Sequence, residues 1–369
     1  MNRRYFLMGS LAAPAVQTAR AQASTLGVGM IGVGNRGAHV MKSVLEQPSV
    51  RVAALCDIKP DRLDRAASGA SRDNPKTYRE WRELVADSNV DVVHISTPCD
   101  LHVEMAIAAL KAGKHVYCEK PAGVTAASIG ELVRVARATN KVFVIGQQMR
   151  SGKRLQQTIA RIQDGLIGKI VMIKAQRHAG DDLSHDGLSA DWFFDARRSG
   201  DVIVEMSVHN LDVCNWVAGS RPERAAGFGG ALVWPNDPPG RTNMDGYTLS
   251  YEYANGIKMS YTQVFFHWNG MPGNGQYFYV YGAEGAVDLS NSMYYKRGRG
   301  NKPEELVPEG PRENLDMLHV AALFDAIRNG TRPPAGIEEA ATGALTAILG
   351  RDAIYQKKML TWSDLGVQL

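Results

Sequence analysis

Two periodicities divide the chain. Short apolar runs at residues 26–33, 50–55, 91–95, 115–118 and 142–145 read as buried strands. Between them, residues 38–45, 60–67, 78–86, 100–112 and 126–138 carry apolar positions every three or four residues and read as helices; Leu101, Met105, Ala108 and Ala109 fall on one such face. Strictly alternating elements of this length predict a doubly wound parallel sheet. After Gly146 the pattern changes. A helix over 154–164 and a strand near 169–176 lead into a polar, irregular run over 178–198, then a helix-like run over 201–216. Period-two segments at 224–233, 246–253, 256–266, 276–281 and 286–289 follow, with turns such as Asn255-Gly256, and helices over 314–328 and 337–356 close the chain. The expected architecture is an α/β domain over 24–146 and a second α+β domain over 147–369. The latter holds a large, mostly antiparallel sheet, one face over the site and the other, rich in Tyr, free to pair subunits as a homodimer or homotetramer.

Composition adds limits. A chain of 369 residues with 44% hydrophobic content can bury two cores. Its start resembles a twin-arginine export signal over 1–23: Arg3-Arg4 precede Tyr5-Phe6-Leu7 and an Ala-rich stretch, and Ala19 to Ala21 or Ala21 to Ala23 offers a cleavage site. Gly9 and Pro14 interrupt the apolar run, which is too short to span a bilayer. A periplasmic or secreted enzyme is expected, with a disordered extension as the alternative. Loss of Arg3, Arg4 and Arg20, with no acid, takes the formal charge from +4 to +1. No basic run then argues for nucleic acid or a membrane surface. Cys56, Cys99, Cys118 and Cys214 lack metal spacing and are expected to stay thiols.

The strand at 26–33 runs into Gly32-Val33-Gly34-Asn35-Arg36-Gly37 and then a helix. The glycines give a tight turn, close approach of backbone to a pyrophosphate, and close helix packing. Asp57 lies twenty residues past the third glycine at the end of the next strand, where a carboxylate accepts from the ribose hydroxyls and repels a 2′-phosphate. A Rossmann domain binding NAD rather than NADP follows, with Lys59 and Arg36 as the nearby cations. The strand 115–118 ends in Glu119-Lys120-Pro121. Ligands of such sheets sit outside the carboxyl ends of the strands, so Lys120 is either an ordinary surface Lys or a charge aimed into the crevice.

These three stretches, Gly32 to Gly37, Thr97-Pro98-Cys99-Asp100-Leu101-His102 and Ala112 to Pro121, together resemble the Gfo/Idh/MocA family. The resemblance implies cofactor contacts from Thr97, Pro98, His102, Glu119 and Lys120 beside the glycine loop. It also implies a Lys120 that binds the reacting hydroxyl near the nicotinamide, and a cis peptide at Lys120-Pro121. In the second half, Glu205, His209 and Asp212 stand at i, i+4 and i+7 if 201–216 is one helix, a spacing that the family shares. His209 is the expected general base, Glu205 its orienter or a sugar ligand, and Asp212 a supporting group that also binds substrate. A satisfied core His is the alternative. His178 and Trp192, with Asp181, Asp182 and His185 in the same polar run, suit a sugar or polyol, and Gln263 and His267 are further candidates. No metal site is expected, since neither H-E-x-x-H nor a Cys pair is present. The leading reading is a carbohydrate CH-OH oxidoreductase with tightly held NAD. The alternatives are a redox-neutral NAD-dependent glycosidase or lyase and a non-catalytic sensor.

Overall fold

The structure, a computed structural model, describes residues 25–180, 183 and 191–369. The expected export signal and Asp181, Asp182 and His185 lie outside the described residues. Six parallel strands form the first sheet: β1 (Leu26–Ile31), β2 (Val50–Cys56), β3 (Lys76–Tyr78), β4 (Val92–Ile95), β5 (His115–Cys118) and β6 (Phe143–Ile145), in the order β3-β2-β1-β4-β5-β6. All five pairings are parallel. The order reverses between β1 and β4, so a crevice opens at their carboxyl ends. β3 was not expected. Tyr78 ends it, pairing with Cys56, and the helix once placed from Tyr78 begins at Trp81. Three residues with one buried side chain give no period to detect.

Nine strands form the second sheet: β7 (Ile170–His178), β8 (Pro222–Gly230), β9 (Gly246–Tyr253), β10 (Lys258–Val264), β11 (Gly275–Gly282), β12 (Gly285–Asp288), β13 (Met293–Lys296), β14 (Glu304–Glu305) and β15 (Leu360–Thr361). Their order is β14-β13-β12-β11-β7-β10-β9-β8-β15, with β7 and β10 the one parallel pair. Alternation along the strands separates the faces. Ile173 and Ala175 of β7, Tyr247, Leu249 and Tyr251 of β9, Met259 and Tyr261 of β10, and Phe278 and Val280 of β11 are buried on the inner face. Tyr277, Tyr279 and Tyr281 stand on the outer face, the first two stacked with ring centres 6.1 Å apart. Tyrosine thus marks both faces, not only the open one.

The helix Leu315–Asn329 returns to the first sheet. Its Val320, Leu323 and Phe324 share a core with Met30, Val40 and Val44. The division at residue 147 therefore follows the sequence, while the packing carries this helix back across it. Beneath it, His94 of β4 stacks on Tyr117 of β5 at 4.7 Å, and Tyr117 meets the His319 ring edge-on at 5.8 Å. His319 is fully buried, Nδ1 2.7 Å from Ser151 Oγ and Nε2 2.7 Å from the Ile145 carbonyl. Burial pushes His94 down to about 3 and His319 down to about 4.

Both histidines fold neutral, whereas the unfolded chain takes up their protons below about pH 6.5. Their contribution is complete above that pH and is lost as pH falls toward the folded values. Each is expected to remove about 1.4 kcal/mol of stability per pH unit in that window. Calorimetry should show the melting temperature dropping between pH 7 and pH 5; an unchanged value would refute neutral burial.

Candidate active site

The crevice is built first from the glycine loop. Gly32 sits at φ +82° against the β4 loop, where a Cβ would come 2.5 Å from the Ser96 carbonyl. A Cβ on Gly37 would lie 1.9 Å from the Gly32 carbonyl, so both positions require Gly. Gly34 caps the helix Asn35–Leu45 with no side-chain cap bond and no acid in its first turn. Its leading N–H groups are left to an anion. Asp57, at the end of β2 and 7% exposed, accepts from the backbone N–H of Val33 at 3.0 Å and of Lys59 at 2.9 Å. A bare helix N-terminus beside a rigidly held carboxylate fits a dinucleotide, pyrophosphate on the first and ribose on the second.

Arg36 and Glu119 turn toward each other. Arg36 Nε donates to Glu119 Oε1 at 2.8 Å, and its two terminal nitrogens donate to Asp316 at 3.0 and 2.6 Å. Burial raises Glu119, and the Arg36 charge opposes that rise. The triad pins glycine loop, β5 end and the helix Leu315–Asn329 together, so Arg36 is spoken for and is no ready ligand for a 2′-phosphate. His102 is buried with Nδ1 2.7 Å from the Pro121 carbonyl and Nε2 3.0 Å from the Thr97 carbonyl. It bridges the loops at Thr97-Pro98 and Lys120-Pro121, with a ring nitrogen beside each carbonyl. The Lys120-Pro121 bond is cis.

Lys120 reaches across to the second domain. Its Nζ donates to the Glu205 carbonyl at 2.6 Å and lies 2.5 Å from Glu205 Oε1. The expected single helix is two: Asp201–Glu205 and Val208–Ala218, broken at Met206-Ser207. There the Ser207 N–H reaches the Val202 carbonyl, five residues back, at 3.2 Å, a widened turn. The Ser207 hydroxyl leaves the helix for Tyr247 and Gln263 of the sheet. Met206 and Ser207 fit a helical pattern locally, whereas the contacts at the break are long-range.

His209 opens the second helix with Nδ1 buried and without a partner. Burial holds its pKa well below the ordinary value, and the Lys120 and Arg177 charges push the same way. Lys120 and Glu205 are thus in contact, and His209 lies within reach of the Lys120 charge. Asp212 is not part of that group: both its oxygens accept from Arg150, at 2.7 and 2.8 Å, and it is 1% exposed. His178 shares the outer-face parity of Gln176, and its Nε2 is 2.9 Å from Thr262 Oγ1. The sheet turns it away from the site and toward His267, whose ring lies at 5.4 Å. Arg177, one residue earlier, is on the inner face, and alternation from buried Ile173 and Ala175 was the signal for it. Trp192, in the short helix Asp191–Phe194, packs edge-on to Phe193 at 6.3 Å; no hydrogen bond or ring contact among the described residues joins it to Lys120 or His209. Among the described residues no group of three or more His, Cys, Asp or Glu could hold a metal ion, and no helix is long and apolar enough to cross a membrane. Cys56, Cys99, Cys118 and Cys214 are buried free thiols.

Comparison with known proteins agrees with this fold. Residues 26–147 match the model described as an oxidoreductase family with an NAD-binding Rossmann fold, and residues 155–288 match the GFO/IDH/MocA C-terminal domain. A glycosyl hydrolase family 109 protein of Saccharopolyspora erythraea is 32% identical over 154 residues, 40% of this chain and 34% of its own. The myo-inositol 2-dehydrogenase of Thermotoga maritima is 26% identical over 208 residues, 56% of this chain and 59% of its own. The chain thus spans less than two thirds of either relative. A solved levoglucosan dehydrogenase, in complex with NADH and levoglucosan, superposes with TM-score 0.77 at 19% identity over 91% of this chain and 99% of its own, a likeness of fold.

Removing the central cation of the Arg36 triad tests it. Arg36→Met strands the buried Glu119 carboxylate and should cost about 3 kcal/mol, the partly exposed guanidinium limiting the effect. NAD affinity, read by titration calorimetry, should fall with it. A variant that melts and binds like the parent would remove the triad from the account.

Proposed function

The chain belongs to the Gfo/Idh/MocA oxidoreductase family, and from that premise we propose that it oxidises a CH-OH group of a sugar, polyol or glycoside. The observation that carries the reading is the contact of Lys120 with Glu205 at the carboxyl end of β5, beside a His209 that burial and the Lys120 charge keep neutral. NAD, held on the glycine loop and Asp57, supplies the hydride acceptor when bound. The protein's own groups handle the proton. The substrate hydroxyl donates to His209, which is unprotonated at neutral pH because burial and two nearby cations disfavour its charge. The Lys120 ammonium stabilises the oxygen as it gains charge, and Glu205 fixes that ammonium from the far side of the crevice. In the return direction His209 gives the proton back.

A second reading is a redox-neutral cleavage, in which the hydroxyl is oxidised, a neighbouring bond is eliminated and the hydride returns. It draws support from the glycosyl hydrolase family 109 relative. Export by the twin-arginine route with NAD already in place would suit either chemistry.

Lys120→Ala and His209→Asn should each lower kcat by about 10²- to 10⁴-fold with NAD affinity retained. In the parent, the acid limb of kcat/KM should fall below pH 6.5 and disappear in His209→Asn. Stopped-flow absorbance of the reduced nicotinamide, with a sugar and glycoside panel, checks this. Lasting reduction matched to keto product supports oxidation; cleavage with no net reduction supports the second reading, and full activity in Lys120→Ala sinks both.

A further inference from the structure

The broken helix rests on a polar row that crosses the inner face of the nine-stranded sheet. Gln276 of β11 pairs in register with Arg177 of β7, Arg177 with Gln263 of β10, and Gln263 with Tyr247 of β9. Strands lie about 4.8 Å apart, so these four side chains form one continuous line. The helix touches it at both ends: Ser207 bonds Tyr247 and Gln263, and Asn210 Nδ2 donates to Gln276 Oε1 at 3.3 Å. Arg177 stands between those contacts, under the turn that carries His209. It is the one charged member of the row, and it is half-buried.

Among the described residues, the acids that flank His209 on its helix segment are committed. Glu205 is against Lys120, and Asp212 gives both oxygens to Arg150. Among the described residues no carboxylate pairs with Arg177. Gln263 Nε2, the donor beside it, is buried and without a partner. A guanidinium on a half-buried sheet face, flanked by an orphaned N–H donor, favours a ligand that brings the missing negative charge. A neutral polyol would bring none.

We propose that the substrate of this site is an acidic sugar, whose carboxylate docks on Arg177 while its hydroxyl meets Lys120 and His209. The inference rests on the oxidoreductase reading above and narrows its substrate class. The Arg fork matches a carboxylate bidentately and fixes the ring relative to His209. Phosphate shares that oxyanion chemistry, so sugar phosphates form a separate arm of the test.

Binding and turnover are measured apart. Calorimetry of the NAD-loaded protein with hexuronates, aldonates, hexose phosphates and the parent neutral hexoses should give at least one sugar acid about tenfold or more tighter than its neutral parent. That preference should weaken with salt and vanish in Arg177→Met, with NAD affinity kept, and return in part in Arg177→Lys. Should Arg177→Met fail to fold, Arg177→Gln and the salt dependence of the parent protein decide. Equal binding of acid and neutral sugars, or equal weakening of both by the substitution, overturns the inference, and tight binding of hexose phosphates alone overturns the carboxylate. Arg177-dependent binding of a sugar acid without any nicotinamide reduction would uphold the anion site and sink the oxidoreductase reading instead.

Discussion

Lys120 and Glu205 come from different domains, and their contact closes the crevice from both sides. Lys120 is placed by the end of β5 and by a proline whose carbonyl is braced by His102. Glu205 is placed at the last residue of its helix. Both side chains are more than four-fifths shielded, so the pair is held by its surroundings as much as by its charges. A pair of this kind contributes little net stability once desolvation is counted. Its value lies in position: an ammonium with two of its donors on Glu205 keeps one for a substrate oxygen.

The position depends on a defect. A continuous helix from Asp201 to Ala218 would bury the Glu205 carbonyl in its own ladder. The widened turn at Ser207 releases that carbonyl to Lys120 and lets the hydroxyl drop to the sheet. The polar row beneath thus shapes the site as well as lining it, since Tyr247 and Gln263 hold the turn open. Arg36 performs the parallel task on the other side, tying Glu119 beside Lys120 to a helix drawn from the far end of the sequence.

The cofactor half was readable because its determinants are local. Gly32, Gly37 and Asp57 answer to turns and strand ends a few residues away: a Cβ on either glycine would meet backbone, and Asp57 accepts from the N–H groups of Val33 and Lys59. The second half was readable as strands and helices, less so as a site. Asp212 looked like a partner of His209 on spacing alone, but Arg150, sixty-two residues away, takes both its oxygens. His178 has the chemistry of a sugar ligand, whereas the alternation of β7 assigns the inner face to Arg177. A one-residue difference in a strand is a change of face, and residue type cannot reveal it. Nor does any local pattern announce Asp316, which reaches Arg36 across 280 positions.

The placement of Arg177 adds to what keeps the imidazole here unprotonated. Burial alone would keep His209 neutral, but a lone carboxylate nearby would raise it and leave it protonated in the pH range where it must accept. Pairing Glu205 with Lys120 removes that influence, and Arg177 adds a charge of the opposite sense. The same field that keeps the base unprotonated stabilises the oxygen from which the proton leaves. An anionic substrate would temper this field on binding, raising the basicity of His209 when a proton is there to be taken. Specificity and base strength would then share one residue, which contacts the substrate at a group remote from the hydroxyl that reacts.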